Sequence, residues 1–198
     1  MGSRIRFTRA KQVFDTYPEL SETVREPRSD VTPQDYVLEL QEGDDPFAAL
    51  AYFAHVLPKR EAVWWGYNCV AGLDGGASEQ ERTVLSLTEI WVRDGDEEAR
   101  TAVREAAEAA RKDSASAWIG LAAGWSGGSL SPNPDYRVEV PEDLTAKAVN
   151  AAVLFAVCGQ EPETRQEAVK SCLAAGLSFA EGGKMPVVSV KGRAPASS

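Results

Sequence analysis

The chain has 198 residues, 43% of them hydrophobic and 26% charged, which describes one packable domain and excludes a chain disordered throughout. Twenty-one Lys+Arg against 30 Asp+Glu leave a net charge of −9, a field that repels phosphate backbones and anionic lipid surfaces, so neither nucleic acid nor membrane insertion is expected. A single histidine, His55, removes most histidine-based catalysis and most metal sites.

From about residue 33 the apolar spacing is helical, interrupted by Pro, Gly and Asp-rich turns. Thr32-Pro33 suits an N-cap and first turn, with Tyr36, Val37 and Leu40 on one face. Asp45-Pro46 repeats the device before Leu50, Phe53, Ala54 and Leu57. Pro58 forces a break and opens a helix carrying Ala62, Val63, Trp65, Cys69 and Val70, which ends near Gly72 or the Asp74-Gly75-Gly76 turn. Ser78-Glu79-Gln80-Glu81 reads as a capping box, with Val84, Leu85, Thr88 and Trp91-Val92 facing inward. Asp96 caps an Ala-rich helix running to about Lys112, whose small residues invite close approach of a neighbour or of a second copy. Ser114 starts a helix through Trp118 and Leu121 to Gly124. Residues 126–141 are irregular, and two helices close the domain, from Pro141 to about Cys158 and from Pro162 to Ala180.

These signals predict an all-α fold, a multi-helix orthogonal bundle of about seven to nine helices. Its divisions are an N-terminal extension, partly ordered, over 1–31, a helical domain over 32–180 and a C-terminal tail over 181–198. Pro186 to Val190 would add a short strand or dock extended. Trp64-Trp65-Gly66 and Trp118-Ile119-Gly120 echo one another, which suggests repeat-like helix pairs, but the pattern does not recur a third time.

The start of the chain carries positive charge with no apolar run behind it, so it is no secretory signal. The longest apolar stretch, 151–158, is far below the roughly 20 residues that span a bilayer. Cys69, Cys158 and Cys172 lack paired spacing and read as buried, reduced thiols. A cytoplasmic protein is expected.

Gly124-Trp125-Ser126-Gly127-Gly128 matches G-x-S-x-G literally, the turn that exposes a hydrolase serine between a strand and a helix. Here a helix precedes it, and His55 comes before the serine instead of after it, so a helix C-cap explains the glycines better. His55 with Cys69 as base and thiolate lacks a third orienting group and an oxyanion hole. The acidic run Glu39, Glu42, Asp44, Asp45 lacks the alternation of a calcium loop, and no phosphate-binding glycine loop is present. No catalytic residue, cofactor or metal ligand is therefore expected; the alternative is a hydrolase or thiol enzyme using Ser126 or Cys69 with His55. Five tryptophans are many for this length, and each dominates a core or an interface. Trp64 and Trp65 point about 100° apart on a helix. Both are expected in the core, while Trp125, beside the Gly-rich turn, is expected to be partly exposed.

Three segments together resemble a known family. They are Leu57-Pro58-Lys59-Arg60-Glu61-Ala62-Val63-Trp64-Trp65, the run from Ala117-Trp118 through Trp125-Ser126-Gly127-Gly128-Ser129-Leu130-Ser131-Pro132, and Leu144-Thr145-Ala146-Lys147-Ala148-Val149. The family comprises bacterial all-helical proteins of unknown function and similar length, associated with type VI secretion, and the resemblance covers about residues 45–180. It implies no activity, and it implies that the Trp-Ser-Gly-Gly-Ser turn is structural. The expected work is protein binding, as a non-enzymatic accessory or adaptor factor. Its candidate interaction surface is Trp125, Ser126, Gly127, Gly128 and Tyr136, its partner another protein, and self-association into a homo-oligomer the other open arrangement.

Overall fold

The computed structural model describes residues 2–73, 76–131, 133 and 135–190. Within them nine α-helices follow one another: α1 (Lys11–Thr16), α2 (Pro33–Gln41), α3 (Pro46–Val56), α4 (Lys59–Leu73), α5 (Glu79–Asp94), α6 (Glu97–Ala109), α7 (Ala115–Gly124), α8 (Leu144–Cys158) and α9 (Arg165–Ala180). Short 3-10 turns at Pro18–Glu22 and Pro162–Thr164 complete the order, and no strand occurs among the described residues.

Most helix starts are written in local chemistry. Thr32, Asp45, Ser78, Asp96 and Ser114 each accept a backbone N–H of the first turn, satisfying donors that the helix itself leaves open. At Ser78 the box is complete, since Glu81 reaches back to the Ser78 N–H at 2.8 Å. That bond holds the Glu81 carboxyl below the usual range. Two starts differ from expectation. Pro141 does not open α8, which begins at Leu144 under Asp143; the Asp143 side chain pairs with Lys147 at 2.6 Å instead of capping. At Pro162 a 3-10 turn comes first and α9 follows from Arg165.

Helix α7 lies against α4, α5, α6 and α8, and α8 against α3, α4, α7 and α9. Ser116, Ala117 and the whole run 119–124 are buried, as befits a helix apolar all round. Along the Ala-rich helix α6, Val103, Ala107 and Ala110 are buried, Ala99, Ala102 and Ala106 are half-buried and Ala109 is exposed. A side chain at Gly120 of α7 would meet Ala107 Cβ at 2.8 Å and Val84 of α5 at 2.5 Å. Gly66 of α4 is a second such crossing, where an added Cβ would strike Ile119 and Val149. The Trp-x-Gly echo thus marks two places where backbones meet, each needing a residue without a side chain.

Within residues 1–31, read from sequence as an extension, the chain contributes to the central core. Val13, Phe14, Tyr17, Leu20 and Val24 are buried in it. Phe14 stacks on Tyr52 with ring centroids 5.7 Å apart, and the Tyr52 hydroxyl donates to the Ala10 carbonyl at 3.1 Å. At the other end the backbone docks extended. Val188 and Val190 are buried, and the Ser189 N–H donates to Ser171 Oγ at 3.1 Å.

Trp65 is fully buried, its Nε1 donating to the Cys172 carbonyl at 2.9 Å and its ring edge-on to Phe53 at 4.8 Å. Trp64 departs from the expectation of burial. It is half-buried and stacks flat on Tyr67 at 5.2 Å. With neighbours about 100° apart on a helix, the inward face of α4 accommodates one indole.

Candidate functional site

The turn after α7 is held by three helices. Arg100 of α6 donates to the Gly124 carbonyl, Thr145 of α8 to the Trp125 carbonyl at 3.2 Å, and Lys59 at the start of α4 to the Ser126 carbonyl at 3.4 Å. These are the orphan carbonyls of a helix C-terminus, and cations there also complement its dipole. Gly128 adopts φ +77°, and a Cβ on it would lie 2.3 Å from Arg100 Nη2. Positive φ and the guanidinium together require glycine. Further on, Arg104 donates to the carbonyls of Ser129 and Leu130, while Ser129 Oγ accepts from the N–H groups of Ser131 and Val138. The base of this irregular loop is therefore a clamped structure. Pro132 and Pro134 of this loop lie outside the described residues.

The five predicted surface residues separate into two groups. Trp125, Ser126, Gly127 and Gly128 share the clamped turn; Tyr136 stands 71% exposed on the loop beyond, next to the 48% exposed Val138, and no ring contact joins it to Trp125. The companions of Trp125 are residues that sequence reasoning did not include. Its ring sits edge-on to Trp118 at 6.4 Å, and Trp118 stacks on Phe155 of α8 at 6.4 Å and 15°. Phe155 is 42% exposed. The three rings come from two helices and a turn, so no spacing along the chain links them. Phe155 follows Leu154 in a largely apolar helix, so nothing in the pattern of α8 singled it out.

The alternative nucleophiles are not assembled with the histidine. His55 Nδ1 lies 2.8 Å from the Ala51 carbonyl, and Nε2 has no hydrogen-bond partner, so the ring holds neither Ser126 Oγ nor Cys69 Sγ. Cys69 is fully buried; burial, reinforced by a hydrogen bond with Cys172, pushes its thiol well up. A thiol so placed is the reverse of an activated nucleophile.

A family model for a family of unknown function, DUF6931, matches residues 36–180. The chain belongs to this family. The DUF6931 match runs from Tyr36 in α2 to the last residue of α9, taking in the clamped turn, both Trp-x-Gly crossings and the aromatic trio. Neither a curated protein nor a solved structure matches the chain.

Among the concavities on the described surface of this DUF6931 chain are the following two. One, of about 660 Å³, is a shallow apolar groove between Trp64 and Phe179, with the Arg4 guanidinium 4.1 Å above the Phe179 ring. The other, of about 280 Å³, lies between the first 3-10 turn, α3 and α8 and is lined by His55 and Asn150 among others. No helix among the described residues is long and apolar enough to cross a membrane. No group of three or more His, Cys, Asp or Glu residues among them is placed to hold a metal ion.

Proposed function

We propose that this chain is a non-enzymatic, protein-binding accessory or adaptor factor of the bacterial cytoplasm, working with a secretion assembly of the type VI kind. The observation that carries the binding role is the aromatic trio Trp118, Trp125 and Phe155, partly open to solvent on a clamped scaffold. Rigid aromatic anchors of this kind concentrate binding energy while losing little side-chain freedom. Tyr136 and Val138, on the loop beyond the turn, add exposed apolar area. The net charge of −9 favours a partner whose apolar patch is rimmed by Lys and Arg. The secretion context rests on the resemblance of the Leu-Pro-Lys-Arg-Glu and Trp-Ser-Gly-Gly-Ser segments.

The test is affinity purification of the tagged chain from its host, with mass spectrometry of what accompanies it. A secretion component recovered with the native chain, and lost with Trp125→Ala and with Phe155→Asp, supports the reading and locates the surface. Recovery of a second copy of the chain alone would replace it with a homo-oligomer. Retention of the same partner by both variants would remove the aromatic trio from the interface.

A further inference from the structure

At the end of α9 the beginning of the chain crosses the last helical turn. The Arg4 N–H donates to the Ala180 carbonyl at 2.8 Å, and Arg4 Nη1 donates to the carbonyls of Phe179 and Gly183. These bonds fix the guanidinium 4.1 Å above the Phe179 ring. Its Nε and Nη2 donors have no hydrogen-bond partner among the described residues. Beside it runs the groove of about 660 Å³ that Trp64, Lys184 and Met185 also line.

That groove combines two kinds of surface. Trp64 and Met185, each half-buried, supply the apolar part. One is a rigid indole already stacked on Tyr67; the other is a pliable thioether chain that adapts to different shapes. Arg4 and the exposed Lys184 supply two positive charges. No carboxylate lines the groove, and neither cation has an ion-pair partner among the described residues. Glu181, beside the turn, is exposed and outside the lining. The sign is the reverse of the molecule's. The chain carries −9, yet residues 2–11 hold Arg4, Arg6, Arg9 and Lys11 and no acid. At physiological salt, charges decay over about 8 Å, so an occupant of the groove senses Arg4 and Lys184 before the distant acids.

We propose that this groove docks a short acidic segment of a partner protein. One large apolar side chain seats between Trp64 and Met185, and the carboxylates on either side of it meet Arg4 and Lys184. A basic segment would add like charge to two unpaired cations, and a neutral apolar one would desolvate them without compensation. A shallow groove does not enclose a small ligand, whereas an extended segment needs burial only of its anchor. The surface shares no residue with the aromatic trio.

Met1 and Met185 are the two methionines of the chain, so labelling methionine methyl groups gives a resonance for Met185 that Met185→Leu identifies. The experiment titrates the labelled full chain with the blocked peptide Glu-Glu-Phe-Glu-Glu, and in parallel with Lys-Lys-Phe-Lys-Lys and Glu-Glu-Gly-Glu-Glu. The expected result is a saturable shift of the Met185 methyl signal with the first peptide and none with the other two. Lys184→Glu, at an exposed position that leaves the core intact, should weaken the affinity about tenfold, because it removes an attraction and adds a repulsion. Trp64→Ala should abolish saturation while near-UV circular dichroism reports whether the fold persists. Absence of saturation with the acidic Phe peptide overturns the proposal, as does an equal response to the basic one or an unchanged affinity in Lys184→Glu. A Met185 shift produced by phosphatidylserine vesicles and not by the peptide would assign the groove to a lipid surface, and one produced by raising the chain's own concentration would assign it to a second copy; either overturns it. None of these outcomes bears on the aromatic surface.

Discussion

Asn150 and His55 show what one unpaired atom does to a fold. Each leaves a buried acceptor without a donor, a cost that an apolar side chain of similar size would not carry. Asn150→Leu is expected to raise stability by about 1 kcal/mol, which calorimetry would read as an increase in Tm of about 2–4 °C. An unchanged or lower Tm would mean that the native chain already satisfies this atom. His55 adds a pH dependence. Its folded pKa is lowered, first by desolvation, with the Ala51 hydrogen bond opposing; Asp143 and Lys147 act on it in opposite senses, and Tyr17, Glu19 and Glu22 are the other titratable groups nearby. A depressed histidine pKa means that the unfolded chain takes up the proton first. Its stabilising effect is therefore complete above the ordinary value of about 6.5 and is lost as pH falls through the folded value. Denaturation measured between pH 8 and 5.5 should show stability falling at the acid end in the native chain and a flatter profile in His55→Leu. Parallel profiles would assign the acid limb to other groups.

At the scale of elements, helix ends were legible wherever the side chain that caps is adjacent in sequence to the N–H it satisfies. Thr32, Asp45, Ser78, Asp96 and Ser114 all meet that condition, so their helices could be read from residue order alone. The six-residue α1 could not. Ala10 precedes it with no side-chain cap, and a helix that short is held by docking Val13 and Phe14 rather than by its own turns. Crossings are equally invisible along the chain, although they carry much of the packing. Gly120→Ala would place a methyl group within 3 Å of both α5 and α6, and chemical denaturation should show a loss of about 1–3 kcal/mol. Gly128→Ala adds the strain of positive φ to a collision with Arg100 and is expected to destabilise by about 1–3 kcal/mol. It should also loosen Trp125, which its fluorescence would register. Near-native stability in Gly128→Ala would mean that the clamp is dispensable.

At the scale of the whole molecule, charge and exposed aromatic area act on association in different ways. The net charge of −9 acts at long range, so a basic partner should be gathered quickly at low salt. Raising NaCl from about 50 to 300 mM shortens the Debye length by a factor of about 2.4. Surface plasmon resonance on the partner should then show the association rate falling by about tenfold or more, with dissociation nearly unchanged. Trp125→Ala should act on dissociation instead, since it removes contact area rather than field. A salt-independent association rate would remove charge from recognition.

The sequence by itself determined the all-α class, most of the helix starts, and the burial of Cys69, Cys172 and Trp65; Cys158, expected to be buried with the other two, is exposed. Each depends on interactions within a few residues, or on a periodicity that one helix carries alone. Only the tertiary structure decided that Trp118, Trp125 and Phe155 form one surface, that Trp64 stays out of the core, and that Arg100 and Arg104 clamp the loop. It also decided that His55 and Asn150 share a cavity. Those outcomes depend on which helices cross and at what distance, and that is set by the summed packing of the chain rather than by any local run of residues.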